Sequence, residues 1–304
     1  MSVKVTKSAD YLTPSILSIL LLAVLSLIWG SSFILIKKSL VAFSPLQVFG
    51  CRIGIAGLAF FPFFMREIKK LNLKDLPYFI VVGIFGSGLP ALLYAVGQQF
   101  VNSSVAGLLN SLTPLFTLLL GILFFQIRVE RIKIVAVFIG LLGAILLIAF
   151  GQPTDQPSNY FYASMLVLAT SCYALSLNTV GKFLSEYGAI TISSIAFGIV
   201  TIPAVIILFS TNFITVMQED PNAYTSLAAV SILSLIGTFA ANILFYKLVQ
   251  ITNPLFSSMV SYLIPIVAIG WGVVDGELIT IYHFLGFVLI LFGIYLSKAK
   301  KKKS

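Results

Sequence analysis

The stretch WGSSF at 29–33 lies over YALSL at 173–177, and the same register sets Lys38 on Lys182 and Gly54 on Gly198. Further along, placing Pro114 on Pro265 brings Asn102 onto Asn253, Gln99 onto Gln250, Gly86 onto Gly237 and Gly121 onto Gly272. The chain states one hydrophobic plan twice. Each copy holds an odd number of apparent membrane spans, so the second copy enters the bilayer upside down relative to the first. Inverted repeats of this kind enclose a cavity at their interface that can open to either side.

Composition places the chain in lipid. Hydrophobic residues make up 59% of it, charged residues only 10%, and the mean hydropathy is +1.06. A soluble core cannot absorb that much apolar surface, because soluble chains carry far more charge. The net charge of +9 comes mostly from Lys and Arg in loops and tails beside the spans, where anionic lipid attracts them, so no nucleic-acid partner is expected. Cys51 and Cys172 both fall in apolar runs and match no metal-ligand or disulfide spacing. Neither a metal nor a cofactor is expected.

A helix crossing about 30 Å of hydrocarbon needs roughly 20 mainly apolar residues. On that ruler spans are predicted near 16–36, 45–64, 77–98, 102–124, 130–150, 159–180, 189–209, 227–247, 254–273 and 279–297. The fold class expected is therefore an all-α integral membrane protein of about ten helices, arranged as two inverted five-helix repeats. Unbroken apolar runs exclude the alternation of a barrel. The first repeat covers 1–150 with a short polar start, GQPTDQPS at 151–158 is the linker, and the second repeat covers 159–304 with a basic tail. The first span lacks a small-residue cleavage site after a short apolar core and is read as retained.

Positively charged loops stay on the cytoplasmic side. With the N-terminus inside, sixteen of the nineteen Lys and Arg fall on that side, Lys37 and Lys38 face outward, and Arg52 lies within a span. Both termini are thus expected in the cytoplasm, in a plasma membrane. Asp155, Glu219, Asp220, Asp275 and Glu277 fall in the outward loops.

Charge inside a span costs roughly 2.5–3.5 kcal/mol on insertion scales and needs a reason. Arg52 sits about seven residues, on the order of 10 Å, into its helix. It either anchors a carboxylate through its planar fork of donors or braces the bundle; its repeat mate is Ala196. Trp29 and Tyr173 fall on opposite sides of the midplane, where they could floor and roof a cavity or simply pack. Asn110, Asn178, Asn242, Ser261, Tyr94 and Tyr262 complete the cavity candidates, with interhelical hydrogen bonding as the competing reading. Asn110 precedes Pro114 by four residues, as Ser261 precedes Pro265, so the proline frees its carbonyl and opens polar backbone to a substrate or bends the helix. Trp271 and the single histidine, His283, read as interfacial residues near outer helix ends. Gly140 and Gly143 permit close helix approach.

The ten-span plan, WGSSF followed by Lys37 and Lys38, the Arg52 segment, and the fourth and ninth spans reading NSSVAGLLNSLTPLFT and NPLFSSMVSYLIPIVA resemble the EamA branch of the drug/metabolite transporter superfamily. The resemblance covers roughly residues 15–297. It implies a secondary transporter, commonly an exporter of amino acids, related metabolites or toxic compounds, with a central cavity lined by both halves. The small multidrug relatives in that superfamily use a buried carboxylate, and no Asp or Glu lies in any predicted span here, which favours uniport or exchange over proton coupling. The partners expected are a small-molecule substrate and the bilayer. A channel or lipid-translocating protein built on the same repeats remains open. A membrane-embedded enzyme would need clustered acid, base and nucleophile groups, and no catalytic residue is expected.

Overall fold

The computed structural model describes residues 16–126, 131–150, 160–252, 257 and 260–298. Residues 1–15, the 151–158 linker, Asn253 with Pro254, and the tail from 299 lie outside them. Ten apolar helices run in sequence: α1 (Ile16–Ser39), α2 (Pro45–Glu67), α3 (Leu73–Gly97), α4 (Ser103–Phe125), α5 (Arg131–Phe150), α6 (Tyr160–Phe183), α7 (Ala189–Ser210), α8 (Ala223–Val249), α9 (Val260–Val274) and α10 (Ile281–Lys298). A short helix, Phe213–Glu219, joins α7 to α8. There is no strand among the described residues. Eight of the helices are long and apolar enough to cross a bilayer, and α9 and α10 are shorter apolar helices.

Helices of this kind are hydrophobic on every side. In α1, Leu22 and Leu25 are buried while Leu17, Leu20, Val24 and Leu27 point away from the protein. One face meets neighbouring helices and the other meets lipid. Small residues set the closest approaches. Gly50, Gly54 and Gly57 of α2 face Leu208, Val205 and Thr201 of α7, and α5 meets α10 through Gly140, Gly143, Gly286 and Gly293.

The packing carries the inverted repeat. Helix α1 lies against α9 and α6 against α4; α3 lies against α6 and α8 against α1. The α2–α7, α4–α9 and α5–α10 pairs each join a helix to its own repeat mate.

Three helices depart from uniform α geometry, and the departures position the cavity. Helix α3 contains a π-helical segment at Ile84–Gly88 and α8 contains one at Leu235–Ala240. These are matching places in the two repeats, since Gly86 and Gly237 are mates. Widened turns of this type recur at functional sites because they re-aim backbone groups. In α4 the helix stops at Asn110 and restarts at Thr113, where Pro114 cannot continue the ladder. The freed Asn110 carbonyl accepts from the Thr113 hydroxyl at 2.8 Å. Of the two readings of that carbonyl, exposure to a substrate or helix bending alone, the bond from Thr113 fits the bend.

Candidate functional site

A cavity of about 140 Å³ lies at the centre of the bundle. Helices α1, α2, α3, α4, α6, α8 and α9 line it, and α5, α7 and α10 supply no lining residue among those described. Trp29, Arg52, Tyr94, Asn110, Tyr173, Asn242 and Ser261 all face it, which brings together seven of the nine sequence candidates. Asn178 and Tyr262 are not part of this lining. The Asn178 amide donates to the carbonyls of Thr117 at 2.9 Å and Ala174 at 3.1 Å, so it ties α6 to α4. Tyr262 packs against the buried core.

The walls are built crosswise. The register that puts Trp29 on Tyr173 also puts Ser32 on Ser176, and the register that puts Gly86 on Gly237 also puts Tyr94 on Phe245. Trp29 stands 5.0 Å from Phe245 between ring centroids, and its mate Tyr173 stands 6.2 Å from Tyr94. A methyl group at Gly237 would press on the Ser32 hydroxyl at 3.0 Å, and one at Gly86 would collide with Ser176. Each contact of one half is thus answered by its mirror in the other.

Charge breaks the mirror. The Arg52 Nε donates to the Thr238 hydroxyl at 3.1 Å, and that hydroxyl donates to the Leu233 carbonyl five residues back, across the widened turn of α8. The Tyr173 hydroxyl lies beside the same guanidinium. Trp29 Nε1 donates to the Gly237 carbonyl at 3.0 Å, in the same widened turn. Neither the turn nor Thr238 was visible in the sequence, because a π segment has no residue signature; the aligned glycines were its one trace.

An ionic cluster ties the end of α1 to the α9–α10 connection and to the start of α4. Lys37 Nζ lies 2.7 Å from Asp275 and 2.9 Å from Glu277, and Lys38 lies 2.5 Å from Asp275. Glu277 also accepts from the Ser103 N–H at 2.9 Å, the Ser104 N–H at 3.0 Å and the Ser104 hydroxyl at 2.7 Å. These are the first residues of α4, whose unpaired amides favour a carboxylate. Burial pushes the Glu277 carboxyl up, but its hydrogen bonds with Ser104, Lys37 and Ser103 outweigh this and hold it below its ordinary 4.5. Asp275 is likewise raised by burial and lowered further by Lys37 and Lys38, to below 3.8. The sequence did hold a signal for this cluster: α1 and α9 run in the same direction, so their ends share one surface.

The repeat-related place in the other half is built otherwise. The repeat register sets Gln126 where Glu277 stands, Phe124 where Asp275 stands, and Lys182 at the place of Lys38. Lys182 Nζ lies over the rings of Phe125 at 5.7 Å and Phe183 at 5.3 Å. Trp271, expected at the interface, is 42% exposed and donates to the Ser31 hydroxyl at 2.8 Å. His283 stands at the start of α10 but is buried, and its Nδ1 accepts from the Thr280 N–H at 3.1 Å. Among the described residues no cluster of His, Cys, Asp and Glu has the makings of a metal site.

The sequence profile of the EamA-like transporter family matches residues 16–149 and again 160–298, one match for each half. The chain belongs to the EamA-like transporter family. An uncharacterized transporter from Archaeoglobus fulgidus is 29% identical over 93% of this chain and 99% of its own length. The uncharacterized inner membrane transporter YedA of Escherichia coli K12 is 27% identical over 90% of this chain and 87% of its own. An S-adenosylmethionine/S-adenosylhomocysteine transporter of Chlamydia muridarum is 24% identical over 84% of this chain and 83% of its own. A crystal structure with 16% identity superposes with a TM-score of 0.59 over 92% of this chain and 96% of that one, which supports the fold. As an EamA-family member the chain is a multi-pass membrane transporter.

Proposed function

We propose that this EamA-family protein is a permease that moves a small organic metabolite across the plasma membrane by alternating access, with both termini in the cytoplasm. The observation that carries the reading is the crosswise construction of the cavity. Because Trp29–Phe245 and Tyr173–Tyr94 are repeat-related pairs, rocking one half against the other exchanges which end of the same cavity is open. Among the described residues no carboxylate lines that cavity, so the substrate's own gradient is the simplest driving force. Its volume of about 140 Å³ is close to that of an engineered cavity of about 150 Å³ that holds one benzene ring.

Purified protein in liposomes is expected to equilibrate its substrate without an imposed pH gradient, and unlabelled substrate preloaded on the far side should accelerate entry of label. Flux without such acceleration would mark a channel. Orientation has its own test. Reporter fusions after Lys70 should report cytoplasm and fusions in the 210–222 connection should report the outside, following the division of Lys and Arg. The reverse pattern would overturn the assignment of the termini.

A further inference from the structure

We infer that the cavity takes a small organic monoanion with a planar apolar body, held by its carboxylate at Arg52, in preference to a zwitterionic amino acid. The inference rests on the permease reading and names its substrate class. Arg52 is the one charged residue among the described residues that line the cavity, and none of their ion pairs includes it. A guanidinium at this depth is costly unless complemented. Among the described residues no carboxylate pairs with it. Its Nε is engaged by Thr238, which fixes the plane of the group, and a carboxylate is the ligand whose two oxygens match the planar fork of an arginine.

A bound monoanion makes the cavity electrically neutral. A zwitterion would add an ammonium, and four of the amide oxygens nearest the cavity already accept a bond from the protein. The Gly237 carbonyl takes Trp29, the Asn110 carbonyl takes Thr113, the Asn110 side-chain oxygen takes the Tyr94 hydroxyl at 3.1 Å, and the Thr238 carbonyl takes the Asn242 amide at 2.7 Å. With no carboxylate lining the cavity among the described residues and Arg52 close by, an ammonium gains no ionic partner and meets a like charge. Six aromatic side chains stand in the lining: Trp29, Phe33, Tyr94, Tyr173, Phe245 and Tyr246. Phe33, 5.6 Å from Tyr94, joins the two crosswise pairs in an aromatic wall against which a flat body can lie.

Three probes of one shape separate the charge classes: 3-phenylpropionate, phenylalanine and phenylethylamine. Thermal stabilisation of detergent-purified protein reads binding, and counterflow in liposomes reads transport. Phenylpropionate should bind at least tenfold more tightly than phenylalanine, and phenylethylamine should not stabilise at all. Arg52→Lys, which keeps the charge and loses the fork, should weaken phenylpropionate about tenfold or more. Thr238→Val, which leaves Arg52 in place but unfixed, should weaken it about tenfold, while Thr238→Ser restores it. Equal stabilisation by phenylpropionate and phenylalanine, stabilisation by neither, or full affinity in Arg52→Lys at matched folded yield would overturn the inference. Binding of phenylpropionate without counterflow would defeat the permease reading and leave the anion site standing.

Discussion

Replacing Glu277 by alanine is expected to destabilise the purified protein by about 3 kcal/mol, the scale for removing one partner of a buried ion pair. The Glu277 side chain is only 3% exposed and satisfies four donors: Lys37, the Ser103 N–H, the Ser104 N–H and the Ser104 hydroxyl. Alanine leaves two amides at the start of α4 without their acceptor and Lys37 with Asp275 alone. Thermal unfolding in detergent reads the loss, and a double-mutant cycle with Lys37→Met apportions it. Acid should act in the same direction on the wild type. Because the Glu277 carboxyl is held below its ordinary 4.5 when folded, its contribution is complete above that value and fades as pH falls through the lowered folded value. Glu277→Ala should therefore lose less stability on acidification than wild type. Identical melting of the two proteins at neutral pH would show that the cluster contributes nothing.

Gly143→Leu should be as damaging, through packing and not through charge. A Cβ at Gly143 would stand 2.7 Å from the Gly286 carbonyl oxygen, and one at Gly293 would stand 2.6 Å from the Ala136 carbonyl oxygen. These are backbone atoms, so no rotamer change relieves the contact, and α5 must separate from α10. Overpacking costs about 1–3 kcal/mol where side chains can shift, and here the upper end applies. The yield of folded, monodisperse protein after extraction measures it. Gly270→Leu is the control, because nothing lies within 4 Å of a Cβ at that position. Comparable losses from both variants would point to generic intolerance of leucine and remove α5–α10 packing as the cause.

Span number, inversion and seven of the cavity's lining residues were legible in the sequence because they depend on residue type at coarse spacing. A run of apolar residues is long enough or it is not, and a duplicated plan survives substitution of Trp29 by Tyr173. What the sequence left open depends on finer geometry. Asn110 and Asn178 are the same residue type in similar surroundings, yet one faces the cavity and the other ties α6 to α4; a rotation about the helix axis decides between them. The freed carbonyl of Asn110 was foreseen, and its capture by Thr113 was not, because that bond depends on a side-chain rotamer. Arg52 was identified as needing a reason, but its partner Thr238 becomes a neighbour only through the widened turn at Leu235–Ala240. His283 was read as an interfacial residue near the outer end of its helix; the burial of its side chain there depends on a rotamer that spacing does not carry.

The crosswise walls also govern how the two halves can drift apart in evolution. A larger residue at Ser176 is felt at Gly86 and a larger one at Ser32 is felt at Gly237, so steric changes in one repeat are policed by the other. Charge is under no such bond. Arg52 stands opposite Ala196 and Glu277 opposite Gln126, so the halves have diverged in electrostatics while keeping a shared shape. A lineage starting from such a duplicated scaffold can acquire a new solute by relocating a single cation within it, with the helices left where they were.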